Sequence, residues 1–255
     1  MTTEIILLCV VAFAAGFIDA VSGGGGLIQT PAVLILLSRY PVANAIATIK
    51  IPSFSGTSMA ALQYARKVKL DYKRLVVMIV IAFWSAYAGS KLLTMISNQF
   101  MKPLLLVVLI VVAVYTYINK NFGAHTQKDH SSIHQWLYSI LISMVIGFYD
   151  GFIGPGAGSF FILAFISILG YDFLTASANA KFVNLATNLG SMIFFIITKK
   201  IIYAITIPMA ICNALGGLLG ARFAILRGNA FIRIFFLIVV CLAILRFAYD
   251  VLFNF

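Results

Sequence analysis

No face of the stretch 104–117 is suited to water, because a helix or a strand drawn through it is apolar almost all round. Most of the chain reads the same way, and residues 119–134 form its one extended polar stretch. A water-soluble fold of this length would need many more polar residues to cover its surface. With 62% hydrophobic residues, 10% charged residues and a mean hydropathy of +1.06, the sequence specifies an all-α polytopic membrane protein. Strands of a transmembrane barrel would alternate with period two, and these runs do not. The N-terminus, Met-Thr-Thr-Glu, lacks the basic start of a cleaved signal peptide, so the first apolar stretch is expected to stay.

The formal net charge of +11 reads as membrane topology, since short cytoplasmic loops collect Lys and Arg. Nucleic acid is not an expected partner; the lipid bilayer is. Arg66, Lys67, Lys69, Lys73 and Arg74 form the densest basic loop, 65–74, which should lie in the cytoplasm. Cys9, Cys212 and Cys241 stand alone in apolar segments without CxxC spacing and are read as filler. His125, His130 and His134 lie in the polar stretch with no cysteines beside them, so a solvated loop is expected and no metal.

Shifted by 131 residues, the chain matches itself without a gap. Gly16-Phe17-Ile18-Asp19 falls on Gly147-Phe148-Tyr149-Asp150, Gly23 and Gly25 on Gly154 and Gly156, and Lys50 on Lys181. The match continues through Tyr72 and Tyr203, Gly89 and Gly220, and Asn98 and Asn229. Residues 1–118 therefore read as a first transmembrane repeat, 119–134 as a linker and 135–255 as a second repeat. Each repeat predicts an apolar helix (4–22, 135–153), a glycine-rich break and a short apolar stretch (27–38, 159–169). A longer helix follows (44–64, 175–197), then two full spans (75–95 and 103–118; 203–222 and 233–253). About eight spans result, with glycine-broken or re-entrant segments. A 12-residue stretch such as 27–38 is too short to cross a core of roughly 30 Å. It could complete the broken first helix, which makes the repeats parallel, or pair with 44–64 as a re-entrant hairpin, which makes them inverted. Both arrangements stay open at the level of sequence.

Duplication does not explain why each copy keeps an acid and a base in apolar sequence. A charge at a helix centre costs about 2.5–3.5 kcal/mol on insertion scales. Asp19, Asp150, Lys50 and Lys181 must then face one another, a polar cavity or a ligand. Lys50, Ser53 and Thr57 lie at i, i+3 and i+7 on one helical stripe, and Lys181, Asn184 and Asn188 repeat it, with Ser191 beyond. Thr48 and Asn179 precede the lysines by two residues. The spacing predicts a lined anion-binding site. The structural alternative is an ion pair within each repeat, Lys50 with Asp19 and Lys181 with Asp150.

Gly23-Gly24-Gly25-Gly26 and Gly154-Pro155-Gly156-Ala157-Gly158 cannot continue a regular helix cheaply. A helix restarting after such a break turns free N–H groups and its positive dipole end toward the gap, which suits an anion. Transporters place such breaks near the midplane. Asp19 and Asp150, at the ends of the first helices, are candidates for binding a coupling proton or cation, or for pairing with lysine. Ser85 with Gly89, and Gly216 with Gly220, are small-residue pairs for helix packing. No GxxxxGK[ST] loop, nucleophile–base pair, metal set or cofactor motif is present, so neither an enzyme nor a cofactor is expected.

The run Gly16 to Pro31 with Ala47-Thr48-Ile49-Lys50 resembles the TauE/SafE family of sulfite exporters. The run Gly147 to Gly158 with Asn179-Ala180-Lys181 is similar to that family's second repeat. The resemblance covers essentially the whole chain. It implies a permease of the bacterial inner membrane for sulfur-containing anions such as sulfite, sulfonates or sulfoacetate. In one departure, Ile49 stands where relatives often carry asparagine, which puts a polar contact beside Lys50 in question. The expected activity is secondary transport of a small anion. Lys50 and Lys181 would supply charge, and residues 23–26 with Gly154, Gly156 and Gly158 would supply backbone donors. Thr48, Ser53, Thr57, Asn179, Asn184 and Asn188 would complete the hydrogen bonding. A passive anion channel and a substrate-free membrane scaffold are the alternatives. A homo-oligomer is an open possibility.

Overall fold

The computed structural model describes residues 2–97, 99, 100, 104, 107 and 132–226. The expected spans 103–118 and 233–253, and most of the linker, lie outside the described residues. Every regular element among the described residues is a helix: α1 (Thr2–Ser22), α2 (Gly25–Leu36), α3 (Val42–Ala65) and α4 (Tyr72–Met95) in the first half. The second half holds α5 (Ser132–Phe152), α6 (Ala157–Ser167), α7 (Phe173–Ile197) and α8 (Tyr203–Leu226). Moved by the 131-residue offset, Val42 and Tyr72 land on the first residues of α7 and α8.

Local chemistry sets these bounds. Asp71 caps α4 by accepting from the Arg74 N–H at 3.3 Å, and Asp172 caps α7 through the N–H groups of Leu174 and Thr175. Pro52 lies inside α3 and cannot donate to the Thr48 carbonyl one turn back; the Thr206 hydroxyl donates to it instead, at 3.0 Å. The helices α1, α4, α7 and α8 are long and apolar enough to cross a membrane. Their outward faces carry bare Leu, Val, Ile and Trp84, as lipid requires.

The short helix α2 takes neither of the two courses that the sequence left open. Gly25 at the start of α2 packs on Ala15 and Asp19, whereas Val33 and Leu37 at its end join Leu8 and Ala12. Arg39, just beyond, bonds Glu4 at 3.1 Å. The α2 helix therefore doubles back along α1. It neither extends α1 nor pairs chiefly with α3. The break is a U-turn, and the α1–α2 pair is the re-entrant hairpin. In the second half Phe160 of α6 meets Tyr149 of α5 edge-on with ring centroids 5.5 Å apart, and Phe165 and Leu169 return toward Tyr138 and Ile142.

Two glycine-lined contacts join the halves. Ala82 and Ala86 of α4 face Gly147 and Gly151 of α5, and Phe13 and Phe17 of α1 face Gly216 and Gly220 of α8. In both pairs residue numbers rise together, so the partners are parallel. The α3 helix runs with α1, as Leu8 meets Ala45 and the Tyr64 hydroxyl donates to the Ala20 carbonyl. The α4 helix returns after the short loop 66–71. Hence α5, parallel to α4, runs opposite to α1, and the two halves are inverted with respect to each other. One end of the bundle carries Glu4, Arg39 and Lys200; the other carries loop 66–71, the start of α5 and the end of α8.

Candidate functional site

The two U-turns meet at the middle of the bundle. Gly23, at φ +76°, lets α1 end where its backbone lies against Gly158, and a Cβ there would sit 2.4 Å from the Gly158 carbonyl carbon. Ser159, in the first turn of α6, donates its N–H to the Gly23 carbonyl at 3.1 Å and its hydroxyl to the Ser22 carbonyl at 3.0 Å. The positive end of one half's short helix thus satisfies orphan carbonyls at the C-terminus of the other half's long helix. Tyr149 donates to the Pro155 carbonyl inside the second break at 2.6 Å.

The lysines act at the same junction. Lys50 Nζ donates to the Asp150 backbone carbonyl at 2.7 Å and to its Oδ1 at 3.1 Å. Lys181 Nζ donates to the Asp19 carbonyl and, at 3.1 Å, to its Oδ2. Each lysine therefore caps the last turn of the other half's broken helix and neutralises its carboxylate. The pairing within each repeat is corrected by this geometry, because both ion pairs run between the halves. Periodicity places a side chain on a helix face, but only the packing of α4 on α5 and of α1 on α8 decides what stands opposite.

The two pairs differ in support. Asp150 also accepts at Oδ2 from Asn184 Nδ2, at 3.0 Å, and from the Thr187 hydroxyl. Asp19 accepts one further bond, from Thr57 at 3.3 Å, and its side chain stays 18% exposed against 5% for Asp150.

Beside these pairs lies a cavity with about 40 Å³ open to the centre of a water-sized sphere, against the roughly 10–15 Å³ that one water needs. Among the residues singled out from sequence, its wall includes Asp19, Lys50, Ser53, Asp150, Asn184 and Asn188, with Gly23, Gly25, Gly26, Gly154, Gly156 and Gly158. Gly24, Thr57 and Lys181 are not part of that wall, and Thr57 and Lys181 touch it through their bonds to Asp19. Thr48 and Asn179 are engaged elsewhere: each bonds the carbonyl one turn back, at 2.7 and 2.9 Å, and the Ile202 N–H reaches Thr48 Oγ1 at 3.4 Å. Asn188 Nδ2 donates to the Asn184 carbonyl at 2.9 Å. Ile49 lines the cavity with an apolar side chain.

Sequence reasoning missed Gln29, Thr30 and Asn213, which complete the wall. The signal was available for the first two, as Gln29-Thr30 is the one polar dipeptide inside the short apolar stretch of the first half. Asn213 could be found only from the fold, which brings α8 against α1 and α3.

A family model described as sulfite exporter TauE/SafE matches residues 8–247. The chain belongs to this family. A "probable membrane transporter protein ORF9" from Sinorhizobium is 33% identical over 95% of this chain and 92% of its own length. A "probable membrane transporter protein" from Haemophilus influenzae is 32% identical over 96% of this chain and 94% of its own length. YfcA of Escherichia coli K12, also named a probable membrane transporter protein, is 30% identical over 96% and 89%. No solved structure matches at a significant level. The TauE/SafE chain described here is thus a multi-pass helical membrane protein of a transporter family.

Proposed function

We propose that this protein is a secondary transporter of small anions, with sulfur oxyanions such as sulfite, sulfonates or sulfoacetate as its cargo. The observation that carries the reading is the central cavity, walled by both halves at the meeting of two broken helices. Discontinuous helices around a midplane site are the usual plan of such transporters, and the start of α2 gives the cavity a positive dipole end. The sulfur in the cargo rests on the family alone.

The two duplicated halves would rock about the site and expose it to either face. Loop 66–71, the first turn of α4 and the last turns of α8 carry Arg66, Lys67, Lys69, Lys73, Arg74 and Arg222, against Arg39, Lys91, Lys199 and Lys200 at the other end. That excess supports a cytoplasmic side for loop 65–74, and the bacterial inner membrane rests on the family resemblance. Asp19 is the better candidate for a coupling proton, being more open to the cavity than Asp150 and held by fewer donors. Asp19→Asn should then abolish uphill transport while downhill exchange continues.

The test is flux into vesicles that hold the purified protein. Labelled sulfite should enter with saturation and show counterflow, and Lys50→Ala should reduce flux because the unpaired Asp150 charge then repels the anion. Ohmic conductance without counterflow would make the protein a channel. An absence of flux for every sulfur oxyanion tried would overturn this cargo.

A further inference from the structure

Gln29 and Thr30 lie one turn into α2, on the same face as Gly25 and Gly26, and all four line the central cavity. Both side chains are buried, each with a relative exposure of 1%. Asn213 Nδ2 donates to Gln29 Oε1 at 3.3 Å, which turns the amide so that Nε2 has no hydrogen-bond partner. The Thr30 hydroxyl has no partner either. Native proteins leave few buried polar atoms unsatisfied, because each one forfeits its bonds to water. These two stand side by side in the cavity wall with under 1 Å² of their own surface open, so they are donors that a ligand meets once the two side chains turn toward it.

Their chemistry identifies the occupant. An amide nitrogen only donates, and a hydroxyl can donate. In the first turn of the 12-residue α2 the N–H groups of Gly25 and Gly26 likewise find no acceptor among the described residues. This wall is therefore a row of neutral donors at the positive end of a helix. The lysine ammonium groups, by contrast, are each held by a carboxylate and a carbonyl.

We propose that Gln29 Nε2, Thr30 Oγ1 and the first-turn N–H groups of α2 form the subsite that recognises the anion, while the two lysine–aspartate pairs frame it. The proposal rests on the anion-transport reading above and names the atoms that would do the selecting. Donors spread over residues 25–30 fit a ligand with two or more acceptor oxygens on one centre, as in sulfite, sulfate or a sulfonate head. A halide also accepts several bonds, but all at one point, so donors spread along a helical turn suit it less well than the separated oxygens of an oxyanion. The 131-residue offset puts Phe160 and Phe161 in the matching places of the second half, so the subsite occurs once.

The experiment is a titration of the purified full chain with sulfite, sulfate and chloride, followed by calorimetry and thermal shift, on the parent and on Gln29→Leu, Thr30→Val and Thr30→Ser. Parent protein should bind an oxyanion one to one and chloride far more weakly. Gln29→Leu and Thr30→Val should each weaken oxyanion binding by about tenfold or more. Without anion Thr30→Val should melt no lower than the parent, since it removes an unpartnered polar atom, whereas Gln29→Leu should melt lower, since it also takes away the acceptor of Asn213 Nδ2. Thr30→Ser, which keeps the hydroxyl, should recover most of the loss; failure to recover would overturn the donor role of Thr30. If the parent binds an oxyanion and both apolar variants bind it equally well, the two side chains hold only water. That result overturns the subsite and leaves anion transport standing. A parent that transports and binds no oxyanion at all overturns both.

Discussion

At the scale of single residues, the two ion pairs look alike on paper and should behave differently when cut. Lys50 and Asp150 are both nearly fully buried, so removing one partner strands a charge, which typically costs about 3–5 kcal/mol. Lys50→Ala should accordingly lower the melting temperature sharply. Lys50→Ala with Asp150→Ala restores neutrality, and should recover most of that loss even though more contacts are gone. Cutting Lys181 should cost less, because Asp19 keeps part of its hydration. The double-mutant cycle measured by thermal melting is the check, and a double variant as unstable as the sum of the singles would show that the pair is not coupled. Sequence alone reached this point halfway. Four charges in apolar helices have to find each other, and that much follows from desolvation. Which acid meets which base does not follow, because a stripe at i, i+3 and i+7 fixes a direction and not a neighbour. The same limit explains Thr48 and Asn179: their polarity suggested the cavity, but each bonds the backbone one turn back, a common alternative for such residues inside helices.

At the scale of elements, the small residues do what apolar burial cannot do in lipid, letting backbones approach closely enough for packing forces to hold them. A Cβ on Gly151 would lie 2.0 Å from the Ala86 carbonyl oxygen, and one on Gly216 would lie 2.1 Å from that of Phe13. Gly151→Ala should therefore push α5 off α4, with a cost of about 1–3 kcal/mol for the overpacked contact. It should also impair transport, since Asp150 is the adjacent residue and its bond to Lys50 depends on where α5 sits. Thermal melting and vesicle flux measured on the same preparation test both halves of the claim; an unchanged melting temperature would show that the two helices part freely. The small-residue pairs were legible as packing signals, whereas their partners were not. The breaks were equally legible, since glycines and a proline stop a helix. The direction taken afterwards was hidden, because Gly23 at positive φ permits a U-turn without announcing one. Only the contact of Gly25 with Ala15, and of Arg39 with Glu4, shows that α2 returns.

At the scale of the whole molecule, inversion of the halves makes a prediction that sequence could not make. Loop charge scarcely separates parallel from inverted repeats, because the inverted arrangement puts 65–74, 119–134 and 222–233 inside and the parallel one puts 65–74, 119–134 and 196–204 inside. The parallel pairings of α4 with α5 and of α1 with α8 decide it, and they put residues 66–71 and 226 at one end and residues 39 and 199 at the other. Single cysteines at Lys69 and Lys199, in a background without Cys9, Cys212 and Cys241, should then react with an impermeant thiol reagent from opposite sides of the membrane. Under the parallel arrangement, which puts 65–74 and 196–204 on the same side, both would react together, so labelling of inside-out and right-side-out vesicles separates the two. The outcome bears on mechanism as well as topology. In an inverted pair, each half supplies the lysine that holds the other half's broken helix, so tilting one half against the other strains both Lys–Asp pairs at once. A site framed in this way can be approached from either face by exchange of the halves' roles, with Gln29 and Thr30 keeping the cargo's place on one side of it. Opposite-side labelling at Lys69 and Lys199 is the arrangement that such exchange requires; same-side labelling would remove the inversion and the two-faced access with it.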